Sequence, residues 1–392
     1  MTVGSWPLVP LRDVLTLAAD VHRVDPTEVY PIAGVYGFGR GIICRPSISG
    51  LEIEADRLYR VMAGQFIYSR LKSFEGAFAI VPEEANGFFV SNEFPTFDVA
   101  QDRLLPGFLR WWFQIPAVWQ ALAGEGRGIG ARRERLHPEQ LLAHHIPLPP
   151  LGAQRGMVAR LDAATKGITR RKGLMTEVGG ELDALLASSF DQLVEDAPLL
   201  PMDHIAPLVR RSVPIQTDAM YTEIGVRSFF RGTFHRRTLS GAEFTWQKLF
   251  RVAKGDLVFS NLMAWEQGIA VAGPTDDGCV GNHRMLTCEA DLSRILPGFL
   301  WFYFTTPAGF AKVVAASPGS IARNKTLSAE DLPNITVPVP SLDAQAWFVA
   351  LHGKIEVVRK IQAEVTSELA QLTPTLLEAA FGSIDDFEQA AA

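Results

Sequence analysis

The sequence predicts an α+β fold: two tandem-repeated globular α/β domains separated by two long helices that pack on each other as a coiled coil. Three observations carry this prediction. The first is a duplication at a constant offset of 191 residues, in which Leu105-Pro106-Gly107-Phe108-Leu109 recurs as Leu296-Pro297-Gly298-Phe299-Leu300. The second is a pair of long stretches whose apolar residues recur at heptad spacing. The third is the remainder of each copy, rich in Gly, Pro and aromatics, which mixes short β-like runs with short helical ones.

The duplication extends across nearly the whole chain. Gly34-Val35 recurs as Gly225-Val226, Arg40-Gly41 as Arg231-Gly232, Arg60-Val61 as Arg251-Val252, Ala131-Arg132 as Ala322-Arg323, and Phe190 as Phe381. The register slips by one near Val90-Ser91-Asn92 and Val280-Gly281-Asn282, which makes Asn92 and Asn282 equivalent and reads both as turn formers. A period this long means two copies of a whole domain rather than a solenoid. Two similar domains suit a target with two halves, or two copies of one partner.

Each copy divides in two. Residues 1–150 and 197–341 are the globular domains, and residues 151–196 and 342–392 are a central helical spacer and a C-terminal helical spacer with its tail. Within the domains, 65–69 and 256–260 read as strands, and 107–122 and 298–316 as helices. Trp111-Trp112 and Trp301-Phe302 fall at helical spacing and belong to the cores. Each domain ends in a proline-rich exit, Ile146-Pro147-Leu148-Pro149-Pro150 or Val337-Pro338-Val339-Pro340, where missing donors force an extended segment.

In the last segment Leu351, Ile355, Val358, Val365, Leu369, Leu372 and Leu376 step by threes and fours, with Gln362 filling the gap. In the central segment Leu161, Ile168, Met175 and Leu182 keep a seven-residue spacing, while Gly167, Gly173 and Gly179-Gly180 lower helix propensity. The favoured reading packs the two helices on each other as a rod of roughly 50 Å that holds the domains apart. The other reading packs each helix on its own domain.

Composition narrows the function. The 392 residues are 47% hydrophobic and 20% charged, ordinary for two to four globular domains. Cys44, Cys279 and Cys288 are odd in number and form no CxxC, which disfavours a disulfide scaffold and fits a reducing cytoplasm. The N-terminus lacks the pattern of a signal peptide. No apolar run is long enough for a membrane span.

The net charge of −6 argues at first against a polyanion ligand. By segment, however, 197–341 is net +2 and 342–392 is net −5. Arg227, Arg231, Arg236, Arg237, Lys248, Arg251 and Lys254 crowd one stretch. A second cluster, Arg127, Arg132, Arg133 and Arg135, has Arg323-Asn324-Lys325 as its repeat. Such local basic faces are the footprint of phosphate binding, against the alternative of a solvated surface.

Motifs for chemistry are missing. There is no P-loop, and the glycine-rich runs 37–41 and 124–130 lack the order of a nucleotide loop. His137, His144 and His145 cluster, but their repeats are Ser328, Ile335 and Thr336, so a metal site is disfavoured. Chemistry alone points to a binding protein rather than an enzyme.

The residues carry a family likeness. Lys254-Gly-Asp-Leu-Val-Phe-Ser-Asn-Leu-Met-Ala-Trp-Glu266, Val90-Ser-Asn-Glu-Phe-Pro-Thr-Phe97 and, above all, the twice-used Pro-x-Pro-x-Leu-x-x-Gln step ending at Gln154 and Gln345 resemble the DNA specificity subunits of type I restriction–modification systems. The resemblance covers almost the full length. It departs in the Gly-interrupted first helix and the modest charge.

The resemblance implies that each globular part is a target recognition domain reading one half of a split double-stranded DNA target. The helices form an antiparallel coiled coil that sets the spacer, and two modification subunits dock on them. This chain binds no cofactor and is not catalytic. The partner subunits use S-adenosylmethionine, ATP and Mg for adenine methylation and for translocation and cleavage by restriction subunits. The complex is cytoplasmic, with no membrane partner.

Arg pairs best with guanine, and Asn or Gln with adenine. The candidate DNA contacts are therefore Arg40, Arg70, Lys72, Arg127, Arg132 and Arg133 in the first domain. In the second they are Arg231, Arg236, Arg237, Asn261, Arg323, Asn324 and Lys325. Arg132 and Arg323 rank first as equivalents before the proline exit. Three rivals stand beside this reading: a self-contained modification or nuclease protein, a duplicated protein-binding scaffold without DNA readout, and a specificity subunit of another methylation-based phage-defence system.

Overall fold

A computed structural model describes residues 6–122, 135–244, 248–319 and 325–382. Helices α1 (Pro106–Trp112), α2 (Pro116–Ala121), α3 (Pro138–Ala143) and α4 (Leu151–Val194) follow the strands of the first copy. Helices α5 (Met202–Ile205), α6 (Pro297–Thr305), α7 (Pro307–Ala315) and α8 (Leu342–Phe381) belong to the second. The expected single helices at 107–122 and 298–316 are each two. Pro116 and Pro307 have no N–H to continue a helix and instead begin the next one.

The chain forms two compact units. Unit 1 is Met1–Leu174 with Ala363–Ala392, and unit 2 is Met175–Gln362. Unit 1 holds a four-stranded sheet in the order Phe78–Ile80, Phe66–Tyr68, Thr96–Val99, Leu15–Ala18. Unit 2 repeats it with Ile269–Val271, Leu257–Ser260, Met285–Cys288 and Leu208–Val209. Helices α1 and α2, or α6 and α7, cover one face and supply the buried aromatics Phe108, Trp111 and Trp112, or Phe299, Tyr303 and Phe304.

Strand pairing settles the repeat register. Phe89 pairs with Arg60 and bridges Ile32, while Val280 pairs with Arg251 and Glu223. Every partner is shifted by the same 191 residues. The one-residue slip is therefore absent, and Asn282 is the counterpart of Ser91 rather than Asn92. Both side chains do the same work: Ser91 Oγ accepts from Glu93 N at 3.4 Å and Asn282 Oδ1 from Arg284 N at 2.9 Å. The matching V-x-N letters misled because identity at two positions says nothing about which backbone groups pair.

Within each unit the two long helices run antiparallel. In unit 1, Met157 and Leu161 of α4 lie beside Leu376 and Ala380 of α8. In unit 2, the Arg359 guanidinium pairs with Asp183, and Gln362 Nε2 donates to Met175 O at 3.5 Å. Leu161, Ile355 and Leu369 are buried, and Ile168, Met175, Leu182 and Val365 are half-buried. Val358 and Leu372 are 38% and 44% exposed, and Arg359, Gln362 and Thr373 take the inward places. A helix at 3.6 residues per turn drifts off a strict heptad, so the buried stripe moves to the next residue.

Candidate nucleic-acid interface

The sheet that differs most between the copies carries the candidate site. In unit 2 a long hairpin pairs Met220–Val226 with Thr233–Ser240. In unit 1 the same stretch is broken into two short pieces, Ala33–Val35 with Ile42–Cys44 and Val29–Tyr30 with Ile48–Ser49. Pro31 and Pro46 stand where unit 2 has Thr222 and Arg237, and a proline cannot donate to the ladder.

The unit 2 hairpin contains a bulge. Glu223 faces Arg237 and Ile224 faces His235, so Arg236 is the extra residue. Consecutive strand residues ordinarily point to opposite faces. A bulge re-aims one of them, and here Arg236 and Arg237 line one groove of about 510 Å³. Lys248, His283, Arg284, Asn282 and Glu223 complete it.

The groove's electrostatics are one-sided. Arg236, Arg237, Lys248 and Arg284 are all exposed, and Glu223 is the only carboxylate among the described lining residues. Glu223 is 5% exposed and accepts from Arg237 Nε at 3.1 Å, so its charge is spent on holding that one guanidinium. Arg236 lies 5.9 Å from the Phe234 ring centroid, with Arg227 at 5.0 Å from the same ring. Gly225 makes this possible, because a Cβ there would come within 2.6 Å of Phe234 and 3.1 Å of Arg236 Nε.

The counterpart in unit 1 has a different chemistry. Arg45 and Arg57 stand for Arg236 and Lys248, but Pro46 replaces Arg237, Ile32 replaces Glu223, and Glu93 replaces Arg284. Glu93 is bridged by Arg135 at 3.0 Å. Gly34 differs from Gly225 here: a Cβ would crowd Ile43 at 3.1 Å but meet Arg45 Nη2 only at an ordinary 3.7 Å.

The remaining expected contacts fall elsewhere. Arg40 and Arg231 occupy matching turns, where each Nε donates to a carbonyl three residues back, Gly37 O at 3.1 Å and Ser228 O at 3.2 Å. Their neighbours Phe38 and Phe229 hold left-handed backbone at φ 60° and 61°. Arg70 and Asn261 are equivalent strand ends, each accepting a backbone bond from Leu136 or Leu327. Lys72 is exposed beside a short turn, and Lys325 is half-buried. Arg127, Arg132, Arg133, Arg323 and Asn324 lie outside the described residues.

The structure thus brings together Arg236 and Arg237 of the expected set with Lys248, His283 and Arg284 in unit 2, and Arg45 and Arg57 are the unit 1 counterparts of Arg236 and Lys248. Shifting Arg236 and Lys248 back by 191 would have found Arg45 and Arg57. Nothing local marks Arg284, whose place depends on the turn begun by Asn282. Other basic residues are consumed internally: Arg211 clamps the buried Asp256 at 2.6 and 3.1 Å.

A duplicated α+β chain with paired long helices is thus the class that the fold defines. Two solved structures share it. One is the crystal structure of the HsdS subunit from Thermoanaerobacter tengcongensis, with TM-score 0.61 and 19% identity over 96% of this chain and 97% of that one. The other comes from work on complex assembly and conformational transition of the type I restriction–modification system, with TM-score 0.65 and 19% identity over 96% and 97%. No protein-family model and no curated protein matches the sequence. The chain has the fold of a type I specificity subunit.

Proposed function

We propose that this chain is the DNA specificity subunit of a type I restriction–modification complex. Each globular domain reads one half of a bipartite target. The long helices set the spacer and dock two modification subunits, which use S-adenosylmethionine. Restriction subunits use ATP and Mg. The chain itself supplies readout and no catalysis. The observation that carries this reading is the groove of unit 2, where a bulge turns two consecutive arginines to one side beside Lys248 and Arg284.

Phosphate contacts fix register while base edges carry sequence information. Arg237, held by Glu223, and Lys248 suit the backbone. Arg236 and Arg284, which make no ion pair among the described residues, suit guanine edges. With Glu93 in place of Arg284, unit 1 reads a different half-site.

The test is co-expression with the neighbouring modification gene, followed by methylation-sensitive sequencing of host DNA. A split motif that vanishes on deleting this chain is expected. Arg236→Ala or Arg284→Ala should relax one position of one half, by about 1–3 kcal/mol of discrimination. Lys248→Ala should weaken all sites alike and lower the salt slope by about one. Methylation that is indifferent to the deletion would sink the reading and leave a protein-binding scaffold.

A further inference from the structure

The duplication allows one more internal comparison. In unit 2 the Arg210 side chain is held by two backbone carbonyls and an aromatic ring. Its Nη1 donates to Met285 O at 2.9 Å and to His283 O at 3.3 Å, and its Cζ stands 4.9 Å from the Phe250 ring centroid. The residue 191 positions earlier is Ala19. Without that side chain, unit 1 has an open pocket of about 150 Å³ at the same register.

The pocket walls are the counterparts of Arg210's own partners. Tyr59 stands for Phe250, Asn92 for His283 and Phe94 for Met285. One wall differs in kind: Arg70 replaces Asn261. Arg70 lines the pocket, and its Nη2 meets His137 Nδ1 at 3.1 Å.

We propose that this pocket binds a nucleobase. Unit 2 shows what the place receives: a flat group that stacks on an aromatic ring and donates to two backbone carbonyls. Arg70, which lines the pocket, adds a third requirement, an acceptor for its guanidinium. A partner's guanidinium stacks and donates, but it offers no acceptor and meets Arg70 as a like charge. A carboxylate or phosphate accepts but neither stacks nor donates. An amino-substituted purine or pyrimidine stacks, donates from its amine and accepts at a ring nitrogen or carbonyl, as pocketed bases do. The base belongs either to bound DNA or to a free nucleotide. The inference goes beyond half-site reading by the basic groove; only its duplex arm, which uses the methylated motif, rests on that reading.

The full-length chain is tested in two arms. Adenosine, guanosine and cytidine are titrated separately by equilibrium dialysis. In parallel, duplexes with 2-aminopurine at successive positions of the methylated motif report a base leaving the stack. Ala19→Arg closes the pocket with the side chain that unit 2 carries at this register, and Arg70→Met removes the donor. Both variants are checked by thermal melting, and Arg70→Met carries the test alone if the first is misfolded. We expect each to weaken nucleoside binding at least about tenfold, or to abolish the 2-aminopurine signal. A response in the nucleoside arm alone assigns a free nucleotide, and one in the duplex arm alone assigns a base of the DNA. No response in either arm of the wild-type chain, or a response that survives in both folded variants, overturns the proposal.

Discussion

Gln154 and Gln345 show how much one side chain holds. Both are fully buried, and each makes the same three bonds. Gln154 Oε1 accepts from Leu105 N at 2.8 Å, and its Nε2 donates to Arg103 O and Pro149 O at 2.8 Å. Gln345 does this for Leu296 N, Arg294 O and Pro340 O. The residue was legible in the sequence as a repeated motif, but its work was not, because two of its three partners lie 49 and 51 residues away. Gln154→Leu fills similar space and strands one donor and two acceptors. We expect a loss of about 3 kcal/mol or more in urea unfolding; a loss under about 1 kcal/mol would show that the tie is dispensable. A second residue sets a pH limit. Burial holds the His144 imidazole down at about 4. The unfolded chain, titrating near 6.5, binds the extra proton first, so this contribution is intact above about pH 6.5 and fades as pH falls towards 4. Stability should drop by roughly 3 kcal/mol across that window, and His144→Phe should flatten the drop.

At the scale of elements, α4 is one continuous helix of 44 residues despite its glycines. A Cβ at Gly167, Gly173 or Gly180 would meet no atom within 4 Å. These glycines therefore serve no close approach, and the helix persists because tertiary packing of Met157, Leu161, Leu186 and Phe190 outweighs local propensity. Alanine at each should raise stability by about 0.5–1 kcal/mol through the lost freedom of the unfolded chain. A fall at any of them on thermal melting would mean that the position faces a neighbour. The helices themselves were legible from periodicity. The exact stripe was not, since heptad counting chose Val358 and Leu372 while the helix turned Arg359 and Thr373 inward. The strands were legible as short β-like runs, but the bulge at Arg236 was not, because a bulge is a property of two strands together.

For the whole molecule, the sequence made the duplication plain and left two readings of the helices, on each other or on their own domains. Both describe part of the structure. The start of each helix packs on its own domain, through Met157 and Leu161 or through Phe348 and Ile355, and its end completes the other unit. Phe381, at the end of α8, is fully buried in unit 1 with ring centroids 5.3 Å from Phe108 and 5.6 Å from Trp112. Its repeat Phe190, at the end of α4, sits in unit 2 at 5.2 Å from both Phe299 and Phe348. Periodicity marks both phenylalanines as apolar but cannot name the partner, because the two domains offer equivalent nests. The consequence is testable. Phe381→Ala should cost about 3–5 kcal/mol, and the loss should fall on unit 1, although the changed residue is 273 positions from Phe108 in sequence. In hydrogen exchange, protection should drop at Phe66–Tyr68 and in α1 while Leu257–Ser260 keeps its own, and Phe190→Ala should give the mirror pattern. Equal losses in both units would show that the chain unfolds as one cooperative block, and that the exchanged helix ends do not define separate stabilities.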